Sequence, residues 1–92
     1  MRLQILGLNH NTAPVEIREQ VVFAGDEVGR AVARLKDIDG VDEAVLLSTC
    51  NRTEFYVITS DGGRDRLQDW LRNERELDPG FANSLFTLDD DK

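Results

Sequence analysis

The sequence predicts an α+β fold in which helices pack on one face of a four-stranded antiparallel sheet. A chain of 92 residues is long enough for one domain, and 40% hydrophobic with 32% charged residues is typical of globular chains. Strand-like and helix-like segments alternate along the sequence. Two of the strand-like segments lie so close together that no helix could connect them, so they must form an antiparallel hairpin.

The first predicted strand covers residues 3–8, where apolar side chains on both faces favour a central position in a sheet. Residues 9–12 are turn formers and end this strand. Pro14 fits the first turn of a short helix, because that position needs no N–H donor. Ile17 and Val21 lie four residues apart and predict the buried face of this helix.

A second helix is predicted to open at Gly25 and Asp26, with Asp26 as its expected N-cap, and to end at the Asp39-Gly40 pair. Cations in its last turns, such as Lys36, interact favourably with the helix dipole. Its apolar positions follow the spacing of a single helix face: Val28, Ala31, Val32 and Leu35.

Residues 44–47 and 53–59 predict the two strands of the hairpin, since both segments are rich in strand-forming side chains. The turn between them is expected at residues 50–52. Asn51 suits this turn because asparagine tolerates a positive φ. The hairpin therefore presents the only cysteine of the chain, Cys50, at its tip.

A third helix is expected to begin within residues 61–63 and to end before Asp78. Its glycine pair matches no phosphate-binding loop pattern. Its apolar stripe is typical of a helix that packs on a core rather than of a cofactor stack, and it consists of Leu67, Trp70 and Leu71.

The C-terminal part predicts one further helical turn around Phe81, a last strand over residues 85–88, and a polar end at residues 89–92 that buries nothing. The element order is then β-α-β-β-α-β, which is the split βαβ or ferredoxin-like arrangement. This fold carries many unrelated functions, so activity has to be argued from particular residues.

Charge, hydropathy and cysteine content exclude several classes of protein. The net charge is −7 and no basic run exists, which argues against a nucleic-acid-gripping surface on this part of the chain. No apolar run approaches the roughly 20 residues of a membrane helix, so no membrane association is expected. One cysteine cannot form an intramolecular disulfide, and a reducing, cytoplasmic location is therefore predicted.

The residues around Cys50 favour a reactive thiol. A thiolate is the nucleophilic form of cysteine, and a neighbouring cation such as Arg52 stabilises it. Thr49 and Asn51 can donate hydrogen bonds to a developing oxyanion. The alternative is a small buried hydrophobe, which many free cysteines are, but the polar neighbours make an apolar pocket an unfavourable interpretation.

Two further polar residues have competing interpretations. Arg52 could clamp a carboxylate, or it could form an ion pair with Glu54 two residues away on the same strand face. His10, the only histidine, could meet Cys50 if the two loops lie at one sheet edge; the alternative, which the sequence favours, is a solvated loop residue. No set of Cys and His residues has metal-ligand spacing.

Two segments resemble one family. Residues 7–19, GLNHNTAPVEIRE, resemble the amino-terminal signature of glutamyl-tRNA reductase, and residues 47–56, LSTCNRTEFY, resemble its catalytic-cysteine motif. The resemblance covers most of the chain and weakens after about Gly63. It implies an NADPH-dependent oxidoreductase that makes glutamate-1-semialdehyde for tetrapyrrole (porphyrin) synthesis.

The resemblance also implies roles for individual residues. Cys50 would attack the glutamyl ester of the tRNA, and the thioester would then be reduced by NADPH to the aldehyde. Arg52 would bind the glutamate carboxylate, with Thr49 and Asn51 completing the pocket. Glu54 would orient Arg52 or meet the substrate amine, and the loop of Asn9 and His10 would line the same site.

The resemblance further implies that residues 1–92 are a single, truncated N-terminal catalytic domain. The family's Rossmann-type NADPH domain, its helical dimerisation domain and a downstream catalytic histidine are absent, so this chain alone is expected to reduce nothing. The implied partners are glutamyl-tRNA, a second copy in a homodimer, and glutamate-1-semialdehyde aminomutase, which would take over the product. The alternative is a non-catalytic ligand-binding or protein-interaction module with a structural cysteine.

Overall fold

The computed structural model describes residues 1–89 and contains the predicted elements in the predicted order. Each observed strand and helix begins and ends within a few residues of its expected position. The elements are β1 (Arg2–Asn9), α1 (Val15–Val21), α2 (Gly25–Lys36), β2 (Val41–Ser48), β3 (Arg52–Thr59), α3 (Gly63–Glu74), a 3₁₀-helix (Pro79–Ser84) and β4 (Phe86–Asp89).

The four strands form one sheet in the order β2-β3-β1-β4, and every neighbouring pair is antiparallel. It follows that β1 and β2 run parallel to each other with β3 between them. The predicted α+β class and the four-stranded antiparallel sheet are thereby confirmed.

One face of the sheet is buried against the helices. Phe55 and Val57 of β3 and Leu6 and Leu8 of β1 are each at most 1% exposed, and they alternate with residues of the other face. The core also takes side chains from all three α-helices, which include Val21, Leu35, Leu67 and Leu71. The prediction that helices pack on one face is therefore confirmed.

The opposite face of the sheet is largely open within residues 1–89. Leu3 is 44% exposed, Val45 is 63% exposed and Leu88 is 57% exposed. The sequence predicted burial of β1 on both faces. The strand is central, as expected, but no helix of the described residues covers its second face.

The start of α2 differs from the prediction. The N-cap is Ala24 and not Asp26, and the Ala24 N–H donates a 2.8 Å hydrogen bond to the Glu27 carboxylate. Asp26 lies in the first turn, where its charge still favours the helix dipole. The Glu27 carboxylate, which belongs to the first turn of the helix, accepts the free N–H of Ala24. The N-cap can therefore lie at Ala24, two residues before the predicted Asp26.

The helix α2 also ends earlier than predicted, at Lys36, and a turn leads from it into β2. Gly40 in this turn has φ +93°, which an L side chain rarely adopts. The backbones of Gly40 and Gly63 touch, so a Cβ on either residue would overlap the other. The Gly62-Gly63 pair therefore serves the packing of α3 onto this turn.

The C-terminal elements match the prediction with one exception. Phe81 is buried in the 3₁₀-helix, as expected of a further helical turn. Asp89 belongs to β4 instead of a free polar end, and its carboxylate accepts a 2.7 Å hydrogen bond from Gln4 Nε2. Residues 90–92 lie outside the described part. No helix within residues 1–89 is long and apolar enough to cross a membrane.

The Glu27 cap predicts a specific pH dependence of stability. The hydrogen bond from Ala24 and the nearby Arg75 guanidinium lower the pKa of Glu27 below 4.5. A lowered folded-state pKa contributes stability that is fully present above the unfolded pKa and is lost as the pH falls through the folded value. We expect Glu27→Gln to reduce the free energy of unfolding at pH 7, and the difference from wild type to shrink below about pH 4.5.

Urea denaturation at several pH values measures this difference. Glu16→Gln is the matched control, because Glu16 is the first-turn glutamate of α1, where no side chain caps the N-terminus. A Glu27→Gln penalty that is independent of pH, or equal to that of Glu16→Gln, contradicts the cap.

Candidate active site

The turn between β2 and β3, residues 49–52, is closed by Thr49 and is called the Cys50 turn below. The Thr49 N–H donates to the Arg52 carbonyl at 2.7 Å. The Thr49 hydroxyl accepts hydrogen bonds from the N–H groups of Asn51 and Arg52, each at 3.2 Å. Asn51 lies in the turn, as expected, but it does not use the positive φ that asparagine tolerates, because Glu76 is the only non-glycine residue within residues 1–89 with a positive φ. A side-chain hydroxyl shapes the turn instead.

Cys50 is a free, exposed thiol on this turn. Its exposure contradicts the alternative of a small buried hydrophobe. Asn51 and Arg52 are exposed as well, so the tip presents a thiol, an amide and a guanidinium together. A small electrophile can therefore reach the Cys50 sulfur from solvent.

The second loop of the site, residues 9–12, lies beside the Cys50 turn and is called the Asn9 turn. Asn9 and Arg52 are Cα partners at one end of the β1–β3 pairing. The register thus places the two loops at the same end of the sheet. His10 follows Asn9 directly and is exposed, but no hydrogen bond ties it to Cys50 within residues 1–89.

The side-chain oxygen and the backbone N–H of Asn9 are hydrogen-bonded within the Asn9 turn. Its side-chain oxygen accepts the N–H groups of Asn11 at 2.8 Å and of Thr12 at 3.1 Å. The Thr12 hydroxyl in turn accepts the Asn9 N–H at 2.9 Å. The side-chain NH₂ group of Asn9 is the part that stays available to donate to a ligand.

Glu54 does not form the ion pair with Arg52 that one interpretation of the sequence allowed. The Glu54 carboxylate accepts a 2.7 Å hydrogen bond from the Tyr56 hydroxyl. Among residues 1–89 no carboxylate lies within 4.0 Å of the Arg52 guanidinium. Arg52 therefore keeps its full donor set for an anionic group such as a carboxylate.

Glu54 is only 8% exposed although it lies on the open face of the sheet. Its side chain covers Gly7 of β1, where an added Cβ would lie 3.0 Å from both Glu54 Cγ and Phe86 Cζ. Sequence reasoning missed Gly7 and Tyr56 as parts of this site. The i, i+2 spacing of Glu54 and Tyr56 on one strand carried a signal for their contact, whereas the place of Gly7 depends on the β1–β3 register.

The described cavities lie away from the Cys50 turn. The larger one, about 310 Å³, lies at the other end of β3 and is lined by residues that include Gln4, Thr59 and Gly63. Within residues 1–89 no group of three His, Cys, Asp or Glu side chains is arranged to hold a metal ion. Trp70 stacks on Phe23 at 6.3 Å and packs on the core, as predicted.

These features define an α+β domain that presents one accessible thiol on a turn with an exposed arginine that has no ion-pair partner within residues 1–89, next to a second polar turn. The model of the family described as "Glutamyl-tRNAGlu reductase, N-terminal domain" matches residues 6–92. The chain belongs to this family.

Individual relatives agree with the family match. The chain is 51% identical over 88 residues to the glutamyl-tRNA reductase of Alkalilimnicola ehrlichii, which covers 96% of this chain and 20% of the relative. It is 49% identical over 79 residues to that of Chromohalobacter salexigens, with 86% and 19% covered. A solved structure, "Glutamyl-tRNA Reductase from Methanopyrus kandleri", matches with a TM-score of 0.59 and 30% identity over 92% of this chain and 18% of that chain. The chain thus spans about a fifth of the length of these proteins.

The Glu54–Tyr56 contact predicts how the phenol titrates. The hydrogen bond to the Glu54 carboxylate raises the pKa of Tyr56 above 10.0, with smaller contributions from burial and from the negative charge. Tyr56 is the only tyrosine, so phenolate absorbance reports this group alone. We expect the midpoint to lie above pH 10 in the wild type and to fall in Glu54→Gln, which removes the charge.

Glu19→Gln in α1 is the control for a general charge effect and should leave the midpoint unchanged. The raised pKa means that the contact contributes its full stability below the unfolded pKa of the phenol. That stability is lost as the pH rises through the folded pKa. Coincident titration curves for wild type and Glu54→Gln would show that the carboxylate does not hold the phenol.

Proposed function

We propose that this chain forms the part of a glutamyl-tRNA reductase that accepts the glutamyl group as a thioester on Cys50. The observation that carries the proposal is the exposed thiol on a tight turn that also carries, two residues on, an exposed arginine with no ion-pair partner within residues 1–89. Family membership supports it, because the relatives are named for this enzyme.

The proposed step is an acyl transfer. The Cys50 thiolate attacks the ester carbonyl carbon of glutamyl-tRNA, a C–S bond forms, and the negative charge develops on the carbonyl oxygen. The intermediate collapses with cleavage of the C–O bond, and the tRNA leaves as its terminal hydroxyl after taking up a proton. The N–H groups of Thr49, Asn51 and Arg52 are hydrogen-bonded within the turn, so the Asn51 side-chain amide and the Cys50 N–H are the donors of the tip that could face the oxyanion.

Arg52 would select the glutamyl group by binding the side-chain carboxylate of that group. The guanidinium can bind a carboxylate through two parallel hydrogen bonds. Arg52 is two residues from the nucleophile, which suits the separation between the ends of a glutamyl group. Thr49 contributes by holding the turn, while His10 and the Asn9 amide would line the far side of the pocket. Glu54, bound to Tyr56, would meet the substrate amine.

The exposed position of Cys50 counts against the second candidate, a binding module with a structural cysteine. The open apolar face around Leu3 and Val45 is the feature that such a module would use. Acceptance of a glutamyl group by Cys50 separates the two, since a binding module would not become acylated.

The residues of this chain do not fit NADPH. No Gly-x-Gly-x-x-Gly sequence is present. The space beside Gly63 is occupied by the Gly40 backbone, and the space beside Gly62 by the Arg66 guanidinium, so a phosphate has no room there. We therefore assign the reduction to other parts of a longer protein and expect no aldehyde from this chain with NADPH. The dimer, the hand-over to an aminomutase and the cytoplasmic location remain predictions for that longer protein.

Transfer of labelled glutamate from glutamyl-tRNA to the chain tests the proposal. We expect transfer to wild type and none to Cys50→Ser within the same time, because an alcohol is a far weaker nucleophile than a thiolate. Arg52→Ala should slow the transfer by about 10- to 100-fold, the equivalent of one hydrogen bond to a charged group. The matched control is Arg30→Ala, which removes an exposed arginine of α2 and the same charge.

Equal rates for Arg52→Ala and Arg30→Ala contradict the carboxylate clamp. Transfer that persists in Cys50→Ser contradicts the nucleophile assignment.

A further inference from the structure

Two hydroxyl groups meet at the last residue pair of the hairpin before the Cys50 turn. Ser48 and Thr53 are Cα partners, and their side-chain oxygens are 2.9 Å apart. Thr53 is 1% exposed and lies on the same buried face as Phe55. Polar groups in such a place cost free energy unless they are hydrogen-bonded, so this pair needs a structural explanation.

The Ser48 hydroxyl also reaches across to the helical layer. The Phe23 N–H, in the segment between α1 and α2, donates a 2.8 Å hydrogen bond to Ser48 Oγ. Because Ser48 Oγ accepts this bond, its own proton is available for Thr53. The three residues form one chain of hydrogen bonds from the helix connection, through β2, to β3.

Phe23 is a well-fixed end for this chain of bonds. Its ring packs edge-on against Phe55 at 6.1 Å, and the Arg75 guanidinium lies 4.0 Å from its centroid. Arg75 also donates to the Val22 carbonyl at 3.0 Å, which holds the neighbouring backbone. Trp70 also stacks on the Phe23 ring, with centroids 6.3 Å apart. The Phe23 N–H is therefore a rigid donor beneath the hairpin.

We propose that Ser48 and Thr53 are positioning residues for Cys50. The bonds within the Cys50 turn are local and exposed, so by themselves they fix its shape but not its place on the domain. The Ser48–Phe23 bond ties the end of the hairpin to the helices, and the Ser48–Thr53 bond extends this restraint to the strand that carries Arg52. Displacement of a reacting group by about 1 Å can cost about 100-fold in rate.

The inference rests on the proposed function of Cys50 and names two residues that act through it. Thr53→Val keeps the side-chain shape and removes the hydroxyl, whereas Thr53→Ser keeps the hydroxyl. Ser48→Ala removes the acceptor of the Phe23 N–H. Thr59→Val is the matched control: Thr59 lies on the same strand and face, is 2% exposed, and donates to Gln4 Oε1 at 2.6 Å, but at the far end from Cys50.

The primary readout is the rate of glutamyl transfer to Cys50, compared with the rate of alkylation by iodoacetamide. We expect Ser48→Ala and Thr53→Val to slow transfer by at least about tenfold, since an oriented reaction depends on placement. Alkylation by the small, unoriented reagent should change less than about twofold. Thr53→Ser should restore transfer, and Thr59→Val should leave both rates near wild type. Transfer that falls equally in Thr53→Val and Thr59→Val, or that Thr53→Ser does not restore, overturns the proposal.

Amide hydrogen exchange distinguishes failure of this inference from failure of the proposed function. We expect exchange of the Phe23 amide in Ser48→Ala, and of the Asn51 and Arg52 amides in Ser48→Ala and Thr53→Val, to rise at least about tenfold over Thr59→Val. If wild type accepts no glutamate, the proposed function fails. Hydrogen exchange alone then decides whether Ser48 and Thr53 hold the Cys50 turn in place. Exchange of the turn amides that is the same in Thr53→Val and Thr59→Val overturns the positioning role whatever the transfer assay gives.

Discussion

The pairing of β1 with β3 is the constraint on which the site depends. The two strands are in register over eight residue pairs, from Arg2 with Thr59 to Asn9 with Arg52. Because side chains alternate between faces, a shift of one residue would move Leu6 and its neighbours from the core to the open face. The same shift would displace the Asn9 turn relative to the Cys50 turn by the roughly 3.3 Å rise of one strand residue. Core packing thus fixes the geometry of the site.

The same register explains the unusual place of Glu54. Its side chain can be buried on an open sheet face because the residue opposite it in β1 is Gly7, which leaves room. Tyr56 then supplies the hydrogen bond that a shielded carboxylate needs. With Glu54 engaged in this way, the Arg52 guanidinium next to Cys50 stays available for a substrate.

Local patterns in the sequence were sufficient for the elements and for the position of Cys50, because strand periodicity and the short spacing of the hairpin are local properties. The backbone conformation of the Cys50 turn could not be predicted in this way, because two local arrangements can close such a turn. One uses an asparagine with a positive φ, and the other, which the structure has, uses hydrogen bonds to the Thr49 hydroxyl. The start of α2 shows the same competition between Asp26 and Glu27. Contacts across strands, such as Gly7 with Glu54 and Ser48 with Phe23, require the three-dimensional register.

The fold brings the Asn9 turn and the Cys50 turn together at one end of the sheet. Cys50 is the only cysteine, so a nitroxide label attached there reports distances from a single point. The amide signals of residues 9–11 should broaden strongly, while those of Gly62 and Gly63, at the far end of β3, should remain sharp. Sharp signals for Asn9 and His10, or equal broadening at both ends of the strand, would contradict the site as described.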